Sequence, residues 1–322
     1  MAVPSNTALT YTTDGGKGRR EDLSNMAHLL EPDDRPFLTT IGRESMKDRE
    51  KDWIADQPDA VDDTNAALEG DDSAANALVA ADPYSNVAQI FKRIAQISGT
   101  QMAIARKGGM VGQLRSMGYE VAKKSVGILN SVEKRCLSDR PKNAGAAGTA
   151  REMAGALTFI KDNWNGGGGS GAAPTGDGTD APTDGTQREF TEAIALTAYE
   201  QVWRAGAKPR FHIMGAFQKK KFSTFQGVAL KSKDTNLETT LGKADIFITD
   251  FGDTTAQLSR YIEDRSTLVY DPAYWKLAEL RGMMDTPLAK NGDSERREVL
   301  WEDTLMCGNP EASASVLDLT TS

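Results

Sequence analysis

The chain has 322 residues, of which 46 are Asp or Glu and 38 are Lys or Arg, giving a formal net charge of −8. This length can bury a substantial core, and the acidic balance argues against a protein that wraps nucleic acid through its overall field. The N-terminus lacks the basic and apolar regions of a signal peptide, and no stretch approaches the roughly 18 apolar residues that span a bilayer, so synthesis in the cytoplasm is expected.

The first third of the chain predicts an arm followed by a long hairpin. Residues 1–43 are polar and rich in turn-forming residues, which indicates an N-terminal arm. Residues 44–92 alternate polar and apolar at both ends around an Ala/Asp-rich middle, which predicts a two-stranded hairpin. At ~3.3 Å per residue it would reach up to roughly 75 Å, whereas a compact chain of this length has a radius of gyration of about 20 Å. Because a two-stranded ribbon is marginal alone, a neighbouring subunit is expected to support it.

The middle of the chain predicts one long helix and a flexible loop. Between Gly109 and Asp139, apolar residues recur mostly at spacings of three and four, which predicts a single helix of about 30 residues that ends before Pro141. Residues 161–187 contain the run Gly166–Gly171 and indicate a flexible surface loop or linker. This composition marks a boundary between two parts of the fold.

A second unit begins after this loop. The spacing of Thr186 and Glu189 fits a capping box, and it predicts a helix that continues to Gly206. A strand at residues 209–215 and a short basic helix at residues 216–225 follow, as in an α/β unit.

The rest of the chain is rich in strand signals. Strands are predicted at residues 244–249, 254–260, 267–270, 274–280, 296–307 and 314–319. The first two flank the turn Asp250–Asp253 and the next two flank Asp271-Pro272, so both pairs are predicted to be hairpins.

Charge is segregated along the sequence. The acidic segment, Asp52 to Asp82, has nine acids and no Lys or Arg, whereas the basic segment, Lys92 to Arg151, has twelve Lys or Arg and three acids. Neighbouring segments of opposite sign indicate an intersubunit pairing. The expected acidic contacts are Asp56, Asp59, Asp62, Asp63, Glu69, Asp71 and Asp72. The expected basic acceptors are Lys92, Arg93, Arg106, Lys107, Arg115, Lys123 and Lys124.

Two motifs suggest phosphate chemistry, and each has a simpler interpretation. Asp250–Gly252 matches the magnesium-binding triplet of protein kinases, but no His-Arg-Asp catalytic loop precedes it, so a hairpin turn is favoured. The run Gly166–Gly171 lacks the Gly-Lys-Ser/Thr ending of a phosphate-binding loop, so a linker is favoured.

Metal and nucleophile chemistry is also disfavoured. Cys136 and Cys307 lie far apart, in a predicted helix and strand, and are expected to be buried thiols rather than a disulfide. His28 and His212 have no nearby nucleophile, and two His with two scattered Cys do not form a typical zinc site. The acids of residues 59–72 could bind Ca²⁺, but their spacing differs from an EF-hand. No catalytic, metal-binding or cofactor-binding residue is therefore assigned.

Short motifs follow one another along nearly the whole chain. They are Tyr11–Gly18, Arg20–Ser24, Pro32, Pro36-Phe37, Trp53, Glu69–Asp72, Asn86–Ile90, Gln96–Gln101, Trp203–Pro209, Lys219–Phe225, Asp250–Gly252, Leu288–Asp293 and Glu302–Leu305. Each motif is weak alone, but their order and spacing are specific. Together they resemble the major head proteins of tailed bacteriophages in the SU-ten-like branch of the Hong Kong 97 capsid fold.

The resemblance implies an α+β fold with an extended loop that lies across an adjacent subunit. The implied divisions are an N-terminal arm (1–43), extended loop (44–92), peripheral domain (93–160) with a spine helix (109–139), Gly-rich loop (161–187), axial domain (188–282) and return to the peripheral domain (283–322). This geometry would place the acidic segment beside the basic segment of a neighbouring copy.

The implied function is that of a major capsid protein and not an enzyme. Copies of the chain would form hexamers and pentamers of an icosahedral shell in the virion, enclosing double-stranded DNA without reading its sequence. Portal, decoration and scaffolding proteins are further expected partners, and no cofactor or membrane is expected. Two alternatives remain: an encapsulin-type nanocompartment shell, and a phosphate-handling enzyme that uses Asp250–Gly252 and the Gly-rich run.

Overall fold

The structure is a computed structural model that describes residues 35–57, 61, 63–64, 66, 69–70, 81–107, 116–225 and 246–321. The helices are α1 (Pro36–Thr40), α2 (Gly99–Lys107), α3 (Met117–Cys136), α4 (Glu192–Arg204) and α5 (Ala216–Phe222). The strands are β1 (Gly42–Ser45), β2 (Glu50–Ala55), β3 (Asp82–Val87), β4 (Gln89–Ser98), β5 (Trp164–Asn165), β6 (Phe211–Met214), β7 (Ile246–Thr249), β8 (Gly252–Leu258), β9 (Thr267–Tyr270), β10 (Trp275–Pro287), β11 (Ser294–Cys307) and β12 (Ser313–Val316). Within the described residues they form a four-stranded, a six-stranded and a two-stranded sheet.

The four-stranded sheet has the order β1-β10-β11-β4 and packs against α3. Side chains alternate between its two faces, as pleated strands require. Phe91 of β4 and Val299 and Trp301 of β11 share a buried core with Ile128 and Val132 of α3. The opposite face of β4 is exposed to solvent. Strand β4 therefore has one face in the core and one face exposed to solvent.

Helix α3 is shorter than the sequence predicts. Its N-cap is Ser116, whose Oγ accepts a hydrogen bond from the Tyr119 N–H at 3.3 Å, and the helix ends at Cys136 after 20 residues. At 1.5 Å per residue it is about 30 Å long. The predicted start at Gly109 lies outside the described residues, and Ser116 ends any continuous helix there, because the N-cap has extended backbone dihedrals.

The six-stranded sheet has the order β5-β12-β9-β6-β8-β7. Helices α4 and α5 pack on one face, where Tyr199, Val202 and Phe222 join a second core. Helix α4 ends as predicted at a left-handed glycine, because Gly206 has φ +87° and its N–H donates to the Trp203 carbonyl. The predicted capping box is wrong. Helix α4 begins at Glu192 with Thr191 as its N-cap.

One of the two predicted hairpins in this region is correct. Strands β7 and β8 pair antiparallel around the turn at Asp250, whereas β9 and β10 belong to different sheets. Between them, Asp271 Oδ1 accepts the Ala273 N–H at 3.1 Å and caps a single 3-10 turn. The Asp-Pro signal thus marks a crossing between sheets.

The two sheets divide the chain differently from the implied domains. Residues 275–282, assigned by resemblance to the axial domain, lie in the four-stranded sheet within β10. Strand β12, assigned to the peripheral return, lies in the six-stranded sheet between β5 and β9. The C-terminal segment therefore ends against the six-stranded sheet.

The Gly-rich loop is fixed at both ends, contrary to the prediction of a flexible linker. Gly167 and Gly185 donate their backbone N–H groups to the two carboxylate oxygens of Asp318, at 2.7 and 2.9 Å. Asp318 is only 3 % exposed and has φ +60°, a left-handed conformation that is uncommon for residues other than glycine. The C-terminal segment thus ties the loop to the body of the subunit.

The predicted hairpin is present at its root. Strands β2 and β3 pair antiparallel from Glu50 with Val87 to Ala55 with Asp82, and they form a separate two-stranded sheet. The bounds of 44–92 are too wide, because β1 and β4 belong to the four-stranded sheet. The root is attached to the core through Trp53, whose ring centroid lies 5.8 Å from that of Phe159.

Candidate intersubunit surfaces

The acidic contact residues are described only in part. Asp56, Asp63 and Glu69 are exposed. The others, Asp59, Asp62, Asp71 and Asp72, lie outside the described residues. The exposed carboxylates fit a surface that faces solvent or a partner.

The basic residues do not form one surface. Arg93 lies on the α3 side of β4, where its Nη2 donates to Ser131 Oγ at 3.1 Å. Gly127 makes room for it, since a Cβ at that position would lie 2.9 Å from Arg93 Nη1. Lys92, the preceding residue, therefore points to the opposite face of the sheet. Lys123 and Lys124 lie on α3 itself.

The remaining basic acceptors cannot be placed as side chains. Arg106 and Lys107 lie in α2, but their side chains are outside the described residues, as is all of Arg115.

The exposed face of the four-stranded sheet carries a group of apolar side chains beside Lys92, and Glu298 lies opposite Ile94 on the same face. We call Ile90, Lys92 and Ile94 of β4, Met284 of β10 and Leu300 of β11 the outer sheet face. Lys92 is opposite Leu300, which is opposite Met284, so the residues are contiguous across three strands. Ile90, Ile94 and Met284 are 42 %, 40 % and 45 % exposed. This group of exposed apolar side chains is a candidate contact surface.

Part of the positive charge of the basic segment is used inside the subunit. Glu302 is only 2 % exposed and accepts hydrogen bonds from Arg151 Nη2 at 2.5 Å and Arg281 Nε at 2.6 Å. Arg135 is buried and lies 3.3 Å from a carboxylate oxygen of Glu152. Arg135 and Arg151, which belong to the basic segment, therefore pair with carboxylates of their own subunit.

Glu133 anchors the residues that follow the N-terminal arm. Its two carboxylate oxygens accept the backbone N–H groups of Phe37 at 3.0 Å and Leu38 at 2.9 Å. Burial raises the pKa of Glu133 to about 7, although these amide hydrogen bonds and the charge of Arg35 lower it. Sequence analysis missed this role. The available signal was a single acid beside Val132 on the apolar side of a basic helix.

Three further titratable groups in the described interior are His212, Cys136 and Cys307. His212 is fully buried, its Nδ1 lies 2.8 Å from Tyr199 Oη, and burial lowers its pKa to about 3. Cys136 and Cys307 are buried free thiols, as predicted, and burial raises the pKa of each. His28 lies outside the described residues.

Neither a metal-binding cluster nor a membrane-spanning helix is found among the described residues. No group of three or more His, Cys, Asp or Glu side chains there is placed to hold a metal. No helix described is long and apolar enough to cross a membrane.

Comparison with known proteins identifies the family. The SU10 major capsid protein family matches residues 3–320. A protein named major capsid protein from Escherichia phage Phieco32 is 25 % identical over 333 residues, covering 92 % of this chain and 93 % of that protein.

Solved structures share the fold at low sequence identity. A chain of the cyanophage A-1(L) capsid asymmetric unit has a TM-score of 0.63 at 11 % identity and covers 92 % of this chain and 95 % of its own. A chain from Mycobacterium phage Bobi has a TM-score of 0.60 at 12 % identity. The match covers 98 % of this chain and 100 % of the Bobi chain. The nanocompartment and enzyme alternatives find no support among these relatives. The chain therefore belongs to the SU10 major capsid protein family, and it is a phage major capsid protein with the Hong Kong 97 type of fold.

Proposed function

We propose that the hairpin of each subunit lies over the outer sheet face of a neighbouring copy and holds the two together. The observation that carries this proposal is the contrast between the two surfaces. The hairpin root is a two-stranded ribbon, which is marginal without support. The outer sheet face presents the exposed apolar side chains of Ile90, Ile94 and Met284 in the isolated subunit. The neighbouring sheet would support the two-stranded ribbon, and the ribbon would cover the exposed apolar side chains of the sheet.

Charge favours the same pairing. The acidic segment meets Lys92 at the centre of the outer sheet face, while Lys123 and Lys124 of α3 are available to a different neighbour because α3 packs on the opposite side of the sheet. Each exposed pair contributes only ~0–1 kcal/mol. Because the same pairs recur in every subunit of a shell, their summed free energy is large enough to decide whether assembly proceeds.

The two sheets take different places in the proposed shell. The four-stranded sheet with α3 as its spine helix forms the peripheral part, and the six-stranded sheet with α4 and α5 forms the axial part near the capsomer axis. Hexamers and pentamers of this unit would close into an icosahedral shell with a portal, together with decoration or scaffolding proteins where the phage uses them.

Double-stranded DNA is the proposed content of the shell, enclosed without sequence recognition. The chain is acidic overall, which disfavours tight binding. The densest basic run among the described residues is Lys219–Lys221, and two of its ammonium groups already have partners within the subunit. Lys219 Nζ donates to the Ala256 carbonyl at 3.0 Å, and Lys221 pairs with Glu189 at 2.7 Å. Unassembled subunits should therefore bind duplex DNA weakly and without sequence preference.

The proposed contact between the hairpin and the outer sheet face of a neighbouring copy, which we call the clasp, is tested by shortening the hairpin. Ala55 and Asp82 are register partners, so residues 56–81 can be replaced by an Asn-Gly turn that preserves every pair of β2 and β3. The variant should remain a folded subunit, because the core elements lie elsewhere, but electron microscopy should show no closed particles.

A second variant tests the other half of the contact. Ile94→Asp with Met284→Asp on the outer sheet face should cause the same loss of particles. Thr197→Asp, at an exposed position on α4, is the matched control and should assemble normally. Normal particles from the shortened hairpin would contradict the clasp.

A further inference from the structure

The sequence contains two Asn-Gly pairs, Asn165-Gly166 and Asn291-Gly292, and the fold gives them different surroundings. Asparagine is a chemically labile residue. Its side chain reacts most easily when glycine follows, because glycine has no Cβ to keep its backbone nitrogen away from the asparagine side chain. The contacts of each pair therefore decide which of them can react in the folded subunit.

The second pair lies open in the turn that joins β10 to β11. Asn291 and Gly292 are both exposed. Neither the side-chain amide of Asn291 nor the backbone N–H of Gly292 has a hydrogen-bond partner among the described residues. No atom lies within 4 Å of the place that a Cβ on Gly292 would occupy. The asparagine side chain is therefore free to rotate, and the glycine nitrogen is open to it.

The first pair is held in place. The Nδ2 of Asn165 donates to Gln201 Oε1 at 2.6 Å, and its backbone carbonyl accepts the Leu317 N–H at 2.9 Å within the pairing of β5 with β12. A Cβ on Gly166 would lie 1.9 Å from the ring of Trp164, so that ring covers the glycine. Rotation of the Asn165 side chain towards the Gly166 nitrogen would break these contacts.

We propose that Asn291 is a site of spontaneous deamidation in the folded subunit, whereas Asn165 is protected by its contacts. The Gly292 nitrogen forms a bond to Asn291 Cγ, and the Cγ–Nδ2 bond breaks. Nδ2 leaves as ammonia, taking the proton that the Gly292 nitrogen gives up. Water then opens the resulting succinimide at either of its carbonyls, which gives aspartate or isoaspartate. No oxidant, metal or enzyme takes part.

The reaction changes both the charge and the backbone of the turn. Either product is a carboxylate that is ionised at neutral pH, so each reacted subunit gains one negative charge. Isoaspartate also adds a methylene to the backbone ahead of Gly292 and Asp293. The carbonyls of these two residues accept the N–H groups of Ser294 and Gly99, each at 3.0 Å. The turn and its attachment to the start of α2 therefore change as the protein ages, independently of the clasp.

A comparison of the two pairs in one chain tests the proposal. Purified full-length subunits are incubated in mildly alkaline buffer and digested at acidic pH, and mass spectrometry measures aspartate and isoaspartate at each pair. A sample digested at time zero gives the background. Acid should form several-fold faster at Asn291 than at Asn165. In denaturant the two rates should become similar, because unfolding removes the contacts that protect Asn165.

Asn291→Gln is the matched variant, because it keeps an exposed amide but moves the carbonyl carbon one methylene further from the backbone. On isoelectric focusing, wild-type subunits should gain one negative charge during the incubation, and Asn291→Gln subunits should keep their starting charge. An equal gain of charge in the variant would assign the reaction to another residue and overturn the proposal.

The mass measurement gives further outcomes that would overturn it. These are equal rates at the two pairs in folded subunits, faster reaction at Asn165, or no reaction of Asn291 until denaturant is added. The last result would show that the folded turn protects Asn291 as well.

Discussion

The β2–β3 hairpin root and the β10–β11 pair are both antiparallel, yet they depend on different sources of stability. Strands β10 and β11 are flanked by β1 and β4, and they bury Trp275, Trp301 and Leu305 in the main core. The hairpin root has no further strand beside it among the described residues, and Ile54 at its surface is 70 % exposed. The β10–β11 pair is therefore stabilised by neighbouring strands of its own subunit, whereas the proposed contact with a neighbouring copy would stabilise the hairpin root.

The largest expected difference concerns buried aromatic packing. Trp301→Ala removes a 1 % exposed side chain from the core under α3, and it should lower the free energy of unfolding by about 3–5 kcal/mol. Ile54→Ala in the hairpin should change it by less than about 0.5 kcal/mol, because that side chain is mostly in water. Denaturant unfolding of unassembled subunits measures both. Equal losses would show that the hairpin is as integral to the subunit as the sheet.

The body should also respond to pH through Glu133. Its folded pKa of about 7 lies above the ordinary value of 4.5. The associated stability is therefore fully present below pH 4.5 and is lost as the pH rises through 7, by roughly 3 kcal/mol in total. Glu133→Gln should remove this slope from unfolding curves recorded between pH 4.5 and 8.

The control for this slope is Glu120→Gln, in the first turn of the same helix. That variant should keep the pH dependence of the wild type. A slope that persists in Glu133→Gln would assign the pH dependence to another group.

The smallest expected effect per residue concerns the acidic segment. Reversal of Asp62, Asp63, Asp71 and Asp72 to Lys should leave subunit stability nearly unchanged but impair assembly. Each pair contributes only ~0–1 kcal/mol, and the defect should be larger at low salt than at 1 M salt, where the Debye length falls to about 3 Å. Light scattering during assembly measures this. A defect that does not vary with salt would count against charge pairing.

Sequence patterns predicted the parts of the fold that depend on local signals. The β7–β8 turn, the end of α4 at Gly206 and the buried thiols all follow from residues close in sequence. The β9–β10 hairpin was wrong because Asp271-Pro272 favours a turn whether the chain returns to the same sheet or crosses to another. That choice is made by tertiary packing, which a local turn signal does not contain.

The candidate surfaces were harder to predict. Strand alternation could have separated Lys92 from Arg93, but the position of α3 decides which of them faces solvent. Glu133, Glu302 and Arg135 resemble surface charges in the sequence, and only the tertiary structure shows them buried with distant partners. Net charge along a segment therefore overestimated the basic surface.

Hydrogen exchange on unassembled subunits and on intact particles tests the central claim most directly. Backbone amides of residues 297–303 should exchange slowly in both, because this part of β11 is paired with β10 on one side and β4 on the other within the subunit. Amides in Glu50–Ala55 and Asp82–Val87 should exchange quickly in free subunits and become protected on assembly. Equal protection of the hairpin in subunits and particles would contradict a clasp that depends on a neighbouring copy.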